Sequence, residues 1–239
     1  MIAFILAAGI GSRLRPLTLN KHKCLIEVYS GSTILDIQLK TLKDNGIKNV
    51  IMAIGHYSEK IENYVLNKHP EINFTFVLNQ DYANTNCIYS MWLCRKYLNN
   101  DLIFLTGDLI FESKVIHDII NSDHKNLMYV NPDGDLNNED FKVRIRKDGF
   151  IDEISVDLTG PNLKACYPLY KLSSSFVKNW MQAIEKLVSK GEKNLYAEEA
   201  FNNISIHSEL LPMYSTDFCM EIDDHNDLSE AKKYYANYV

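Results

Sequence analysis

The 239-residue sequence predicts an α/β fold: a Rossmann-like, mostly parallel sheet flanked by helices, with an antiparallel lid inserted in the second half. Three observations carry that expectation. The apolar run Ile2 to Ala8 is short, lacks a helical period and stops at glycine, as a buried central strand does. Strand-like and helix-like segments alternate through the first hundred residues, the pattern of parallel strands joined by right-handed crossovers. Beyond residue 130 the texture changes, and two β-like segments flank Lys147-Asp148-Gly149, a hairpin signal.

Taken in order, the elements follow from local chemistry. Past the first strand, Gly9 and Gly11 form a turn, and Cys24 to Tyr29 reads as a short strand. Thr33 to Asn45 carries Ile34, Leu35, Leu39 and Leu42 at helical spacing and closes at Gly46. Asn49 to Ile54 is a second buried strand, Ser58 to Leu66 a helix, Asn73 to Leu78 a strand and Cys87 to Leu98 a helix. Leu102 to Leu105 is a strand that runs into Thr106-Gly107-Asp108. Asn131 to Asp140, with Pro132, Gly134 and several Asn and Asp residues, reads as a loop. Phe141 to Arg146 and Phe150 to Val156 form the hairpin, Ala165 to Leu172 a strand, Ser173 to Ser189 a long helix and Leu195 to Asn203 a shorter one. Asp217 to Ile222 is the last strand and Asn226 to Tyr238 the closing helix. With no repeat, linker or low-complexity stretch, residues 1–239 are expected to form one domain. Its halves are 1–130 and 131–239.

Bulk composition narrows the function. A net charge of -6 argues against a protein that coats nucleic acid, so an anionic substrate must meet a local cluster of cations and metal. No run approaches a membrane span and the apolar start lacks a basic flank, so a cytoplasmic location is expected. Five scattered cysteines, with no Cys-x-x-Cys, read as reduced structural thiols. The seven histidines show no ligand spacing and receive no role. Whether subunits pair into a homo-oligomer is left open by the sequence.

The glycine turn is the most specific feature. Gly9 and Gly11 let backbone N–H groups turn toward an anion, and Arg13, Arg15, Lys21 and Lys23 supply charge. A P-loop needs Gly-Lys-Ser/Thr and a dinucleotide fingerprint needs a third glycine where Leu14 stands, so neither fits. The stretch Leu6-Ala7-Ala8-Gly9-Ile10-Gly11-Ser12-Arg13-Leu14-Arg15-Pro16-Leu17-Thr18, followed by Lys23-Cys24-Leu25, resembles the signature of sugar-phosphate nucleotidyltransferases, with His22 in place of a proline. That resemblance implies a nucleotidyltransferase fold and nucleotide contacts from Leu6, Ala8, Gly9, Gly11 and Ser12.

Asp108, at the carboxyl end of a buried strand, stands where such a ligand binds. The resemblance makes it a nucleotide contact and the first Mg²⁺ ligand, although Gly-Asp after a strand is also a common turn. It implies a second metal aspartate near the carboxyl terminus, Asp223 by the Glu-Ile-Asp match, while Asp224 could cap the following helix. The implied reaction is attack of an acceptor phosphate on the α-phosphorus of a nucleoside triphosphate, with pyrophosphate leaving. Arg13 would hold the departing phosphates and Lys23 the reacting one; Arg15 is either a phosphate contact or an exposed side chain.

Asn79 to Met91 lacks the Gly-Thr-Ala stretch of hexose-phosphate enzymes and is similar to cytidylyltransferases of phosphocholine, aminoethylphosphonate and related compounds. Asn86 and Ser90 are accordingly placed around a cytosine, with helix capping as the other reading of Asn86; Tyr82 and Tyr89 read as packing residues. On the acceptor side Lys142 matches a family lysine, whereas Val156 replaces another. Glu198 either meets an amino group or lies on a solvated helix face, and Asp140 and Arg144 are undecided. The expectation is a Mg²⁺-dependent cytidylyltransferase that joins CTP to a small phosphorylated or phosphonate acceptor for surface polysaccharide or lipid decoration. A hexose-1-phosphate enzyme using UTP, dTTP or GTP is the alternative, and a non-catalytic nucleotide-binding subunit the third.

Overall fold

The structure is a computed structural model that describes residues 1–136 and 140–237. Residues 137–139 of the expected loop and Tyr238 of the expected last helix lie outside the described residues.

Strand β1 (Ile2–Ala7) is followed by short strands β2 (Glu27–Tyr29) and β3 (Ser32–Thr33), helix α1 (Ile34–Asp44), β4 (Asn49–Ile54), α2 (Ser58–Lys68) and β5 (Asn73–Leu78). Next come α3 (Cys87–Cys94), β6 (Leu102–Thr106), β7 (Leu109–Phe111), α4 (Ser113–Asn121) and β8 (Leu127–Asn131). The second half holds β9 (Lys142–Ile145), β10 (Ile151–Ser155), β11 (Lys164–Leu172), α5 (Ser174–Ser189), α6 (Ala197–Asn202), β12 (Leu211–Tyr214), β13 (Cys219–Glu221) and α7 (His225–Asn237).

The fold is α/β, as the sequence predicts. In the main sheet the strands lie in the order β10-β9-β11-β6-β1-β4-β5, with β8 branching from β11 and β12 pairing with β8. Strands β6, β1, β4 and β5 are parallel neighbours, whereas β11 runs antiparallel to β6. Alternate residues of β1 face two cores. Phe4 and Leu6 pack with Phe104, Tyr170 and Trp180, while Ala3, Ile5 and Ala7 pack under α1, α2 and α4. The chain steps from β1 to β4 and β5 on one side and places β6 on the other, so a crevice opens at the carboxyl ends of β1 and β6.

Several expectations are corrected. Cys24 to Tyr29 is not a continuous strand: the His22 ring accepts the Cys24 N–H, curling Lys23–Leu25 into a 3-10 turn before β2 begins. Helix α3 stops at Cys94 and gives way to a turn closed by Tyr97 N–H to Cys94 C=O. The antiparallel hairpin β9–β10 continues the main sheet through β9 and β11, so it shares the sheet's layer. Strands β7, β8 and β12 and helix α4 occupy stretches for which no element was expected.

Candidate functional site

At the carboxyl end of β1 the chain leaves the sheet through Ala8 and Gly9 and turns at Gly11, whose φ of 65° is the left-handed conformation that favours glycine. Thr18 Oγ1 donates to the Gly11 carbonyl at 2.8 Å and fixes the loop. Leu14, fully buried, anchors it to a small core with Ile110, Ile222 and Leu228. Through that core the loop is tied to β7 and to the segment before α7.

Lys23 returns to the crevice and is the centre of its charge. Its Nζ lies 2.7 Å from Asp108 Oδ2 and 2.9 Å from Asp223 Oδ1, and Arg13 Nη2 lies 2.9 Å from the same Asp223 oxygen. Burial alone would lower the Lys23 pKa, but the Asp108 and Asp223 carboxylates outweigh it and raise it. Burial likewise works against ionised Asp108, yet the Lys23 ammonium holds its pKa below the usual carboxylate range. Glu221 is the third carboxylate here. Burial, then Asp108 and Asp223, push its pKa well above the usual carboxylate range.

Asp108 sits in a rigid turn. Gly107 N–H donates to the Leu6 carbonyl at 2.8 Å, Ile222 N–H donates to the Asp108 carbonyl at 3.0 Å, and Gln38 reaches the carbonyls of Thr106 and Leu109. A Cβ on Gly107 would lie 3.0 Å from Ala7 Cβ, so this residue lets the turn approach β1. Asp108 Oδ1 is buried and has no hydrogen-bond partner among the described residues. Asp224 is occupied elsewhere, its Oδ1 accepting the N–H groups of Asn226 and Asp227 at the start of α7. Of the two aspartates, therefore, Asp223 faces the crevice and Asp224 caps a helix.

Among the described residues no group of three or more His, Cys, Asp or Glu is spaced to hold a metal ion by itself. The donors that do converge, Asp108 with its orphaned oxygen and Asp223, are hard carboxylates. Such a pair suits Mg²⁺, which takes one or two carboxylates and completes its shell with phosphate oxygens and water.

The cavity above this floor holds about 280 Å³; beyond Leu6, Ala8, Gly9, Arg13, Asp108 and Asp223 its lining comes from the two halves of the chain, termed here its two arms. One arm is lined by Asn79, Tyr82, Thr85, Asn86 and Ser90. Asn79, buried at the end of β5, donates through Nδ2 to Thr85 Oγ1 and Ser90 Oγ, both at 3.0 Å, and accepts the Asp81 N–H. Asn86 stands at the N-cap of α3, its Oδ1 accepting the Cys87 N–H, and also lines the arm.

The other arm is lined by Phe141, Val156, Pro168, Tyr196 and Glu198. Glu198 is only 4% exposed and accepts from Tyr170 OH at 2.8 Å, which removes the reading of a solvated helix face. Burial raises its pKa although the Tyr170 bond opposes the shift. Lys142 is buried and donates to the Val156 carbonyl; it is not among the lining residues. Nor are Gly11 and the exposed Ser12, while Arg144 pairs with Glu153 across the hairpin.

The site also contains residues that no expectation named. Glu221 lies two positions before Asp223, and the period of two along a strand was the signal that could have found it. Tyr82, read as packing, lines the first arm and bonds His56 Nδ1 at 3.2 Å. His22, given no role, is buried beside the loop with its pKa lowered to about 4 by burial and by Lys23.

The family profile described as nucleotidyl transferase matches residues 2–141. The chain is 33% identical over 128 residues to a CTP:phosphoglutamine cytidylyltransferase of Campylobacter jejuni, covering 51% of this chain and 49% of that protein. It is 33% identical over 122 residues to a choline-phosphate cytidylyltransferase of Streptococcus pneumoniae, 51% of each. The chain thus spans about half the length of the curated relatives it matches. A solved CTP:phosphocholine cytidylyltransferase from Streptococcus pneumoniae superposes with a TM-score of 0.80 over 98% of both chains at 23% identity, a likeness of fold.

Proposed function

Because the chain belongs to the nucleotidyl transferase family, we propose that it is a cytidylyltransferase that joins CTP to a small phosphorylated or phosphonate acceptor and releases pyrophosphate. One observation carries the reading: Arg13, Asp108 and Asp223 line the cavity, and Lys23, itself not a lining residue, lies between the two carboxylates with Arg13 also on Asp223. That is an arrangement for bringing two anionic substrates to one point.

An acceptor phosphate oxygen attacks the α-phosphorus in line, the bond to the β-phosphate breaks, and its electron pair leaves on pyrophosphate. Gly9 has nothing within 4 Å of its missing Cβ, so the backbone there is open to phosphate. Arg13, exposed at the rim, takes charge on the departing phosphates. Lys23 shifts its ammonium from the two carboxylates toward the reacting phosphate, a preorganised counter-charge with little to reorganise. Asp108 and Asp223 would hold Mg²⁺, which supplies charge neutralisation between the two phosphates when bound. The arm with Asn79, Asn86 and Ser90 takes the cytosine; the cytidylyl relatives support that base.

The acceptor arm, apolar except for Glu198, suits a compact group carrying an amine, amide or amino acid. An ammonium near Glu198 would favour the ionised carboxylate against the burial that now disfavours it. Pyrophosphate release is the test, with CTP, UTP, dTTP and GTP against phosphoglutamine, phosphocholine, aminoalkylphosphonates and glucose-1-phosphate. Turnover with CTP and an amine- or amide-bearing acceptor is expected; turnover with UTP and glucose-1-phosphate alone would overturn the reading.

A further inference from the structure

We propose that Gln38 is the positioning residue for Asp108. The inference rests on the reading that Asp108 takes part in the transfer. Gln38 is fully buried on α1, and its Nε2 donates to the Thr106 carbonyl at 2.9 Å and to the Leu109 carbonyl at 2.6 Å. Those two carbonyls bracket the Gly107-Asp108 turn, so one amide group clamps both ends of the segment that presents the carboxylate.

The orientation of the amide is fixed by its neighbours. Turning it over would place Oε1 against two carbonyl oxygens, acceptor against acceptor. In the orientation present, Oε1 is buried with no partner among the described residues. A buried unpaired acceptor weakens a fold, so an amide kept here at that cost is explained by the two bonds it donates. An apolar residue of the same length would fill the space without leaving that oxygen unpaired, but could not hold the turn.

The clamp is mounted on a rigid base. Helix α1 opens with a capping box in which Thr33 and Asp36 serve each other's backbone N–H. Asp36 also accepts from Tyr64, Lys68 and His69 of the α2 region, at 2.7, 2.8 and 2.7 Å. Gln38 is two residues beyond that junction on the same helix, and its side chain donates to the turn. Gly107 and Ile222 tie the turn to β1 and to the segment before Asp223. Without Gln38 the turn keeps its backbone ties and the Lys23 contact but loses the amide that braces both of its ends, and the carboxylate is freer to move relative to Lys23 and Asp223.

The test compares Gln38→Met and the near-isosteric Gln38→Glu with the parent chain and Asp108→Asn. Hydrogen exchange of the peptide covering residues 102–111, measured without metal or nucleotide, should be at least about tenfold faster in both Gln38 variants while the remainder of β1 and β4 keeps its protection. Mn²⁺ binding, read by water-proton relaxation, should weaken about tenfold, in the range seen when residues orienting metal ligands are lost. In the pyrophosphate assay kcat should fall with the KM for CTP changed less than twofold. If Gln38→Met does not fold, Gln38→Glu carries the comparison. Unchanged exchange at 102–111, or loosened exchange with Mn²⁺ binding and kcat unaltered, overturns the positioning role while a silent Asp108→Asn is not seen. If Asp108→Asn itself leaves Mn²⁺ binding and turnover intact, the reading of the site falls and takes this inference with it.

Discussion

Replacing Lys23 by methionine removes the one ammonium that lies between Asp108 and Asp223 and leaves Asp108, Glu221 and Asp223 facing one another across the crevice. Breaking a buried ion pair from one side costs about 3–5 kcal/mol. The Lys23 side chain is 12% exposed, but Asp108 and Asp223 are 22% and 31% exposed, so the low end, about 3 kcal/mol, is the working figure. For a chain of this size that lowers the melting temperature by about 6–12 °C at pH 8. The sign with pH follows from the carboxylates. In the parent chain Asp108 has a depressed folded pKa, so its stabilisation is present above its unfolded value and lost as pH falls. In the variant the crowding of carboxylates disfavours their ionised forms, so the penalty is full at pH 8 and relieved as the pH falls. Thermal melts of both proteins at pH 5 and pH 8 read the gap directly. A Lys23→Met protein that melts within 2 °C of the parent at pH 8, or a gap that is the same at both pH values, would refute this account of the charge cluster.

The remaining expectations use the same assays. Asp223→Asn should reduce pyrophosphate release by about a thousandfold, the scale of a lost transition-state contact. Asp224→Ala should keep activity near the parent's and cost about 1 kcal/mol, the value of a helix cap, as read by urea denaturation. Glu198 has a raised folded pKa, so its burial penalises the fold increasingly as pH rises through that value; Glu198→Gln should gain stability relative to the parent at pH 8 and not at pH 4, while losing turnover with amine-bearing acceptors. Gly11→Ala forces an L side chain to φ 65° and sets its Cβ 3.1 Å from Lys23 Cβ, so a loss of about 1–2 kcal/mol is expected together with a higher KM for CTP.

Much of the fold was legible because its central strands are short apolar runs ended by glycine or by polar residues, and because α1 carries both its cap and its spacing in sequence. Helix α4 was legible too, through Val115, Ile116 and Ile119, though no element was expected there. Strands β8 and β12 were harder, since their pairing with each other joins residues more than 80 positions apart and β8 also pairs with the distant β11. At the site, Gly9, Arg13, Lys23, Asp108 and Asp223 belong to local patterns that survive in one dimension. Glu221 and Gln38 do not, since each matters through a neighbour from a distant segment, and Asn79 matters through the way the chain folds back onto it at Thr85 and Ser90. The Asp223 or Asp224 choice turned on which side chain the α7 N-terminus consumes, a matter of hydrogen-bond geometry that adjacent identical residues cannot display.

Strand β11 bears on how such a chain could be rebuilt. Residues Leu169 to Leu172 pair with β6, which leads to Asp108, while Lys164 and Ala165 pair with β9 of the hairpin, and Tyr170 holds Glu198. A single strand is therefore common property of both substrate arms. Grafting a different acceptor half from residue 131 onward would replace that shared strand and its pairing with β6, and a shift of β11 by one residue would turn Tyr170 away from Glu198. Exchange of specificity is better confined to the hairpin and α6, with β11 inherited alongside β6 as one indivisible unit.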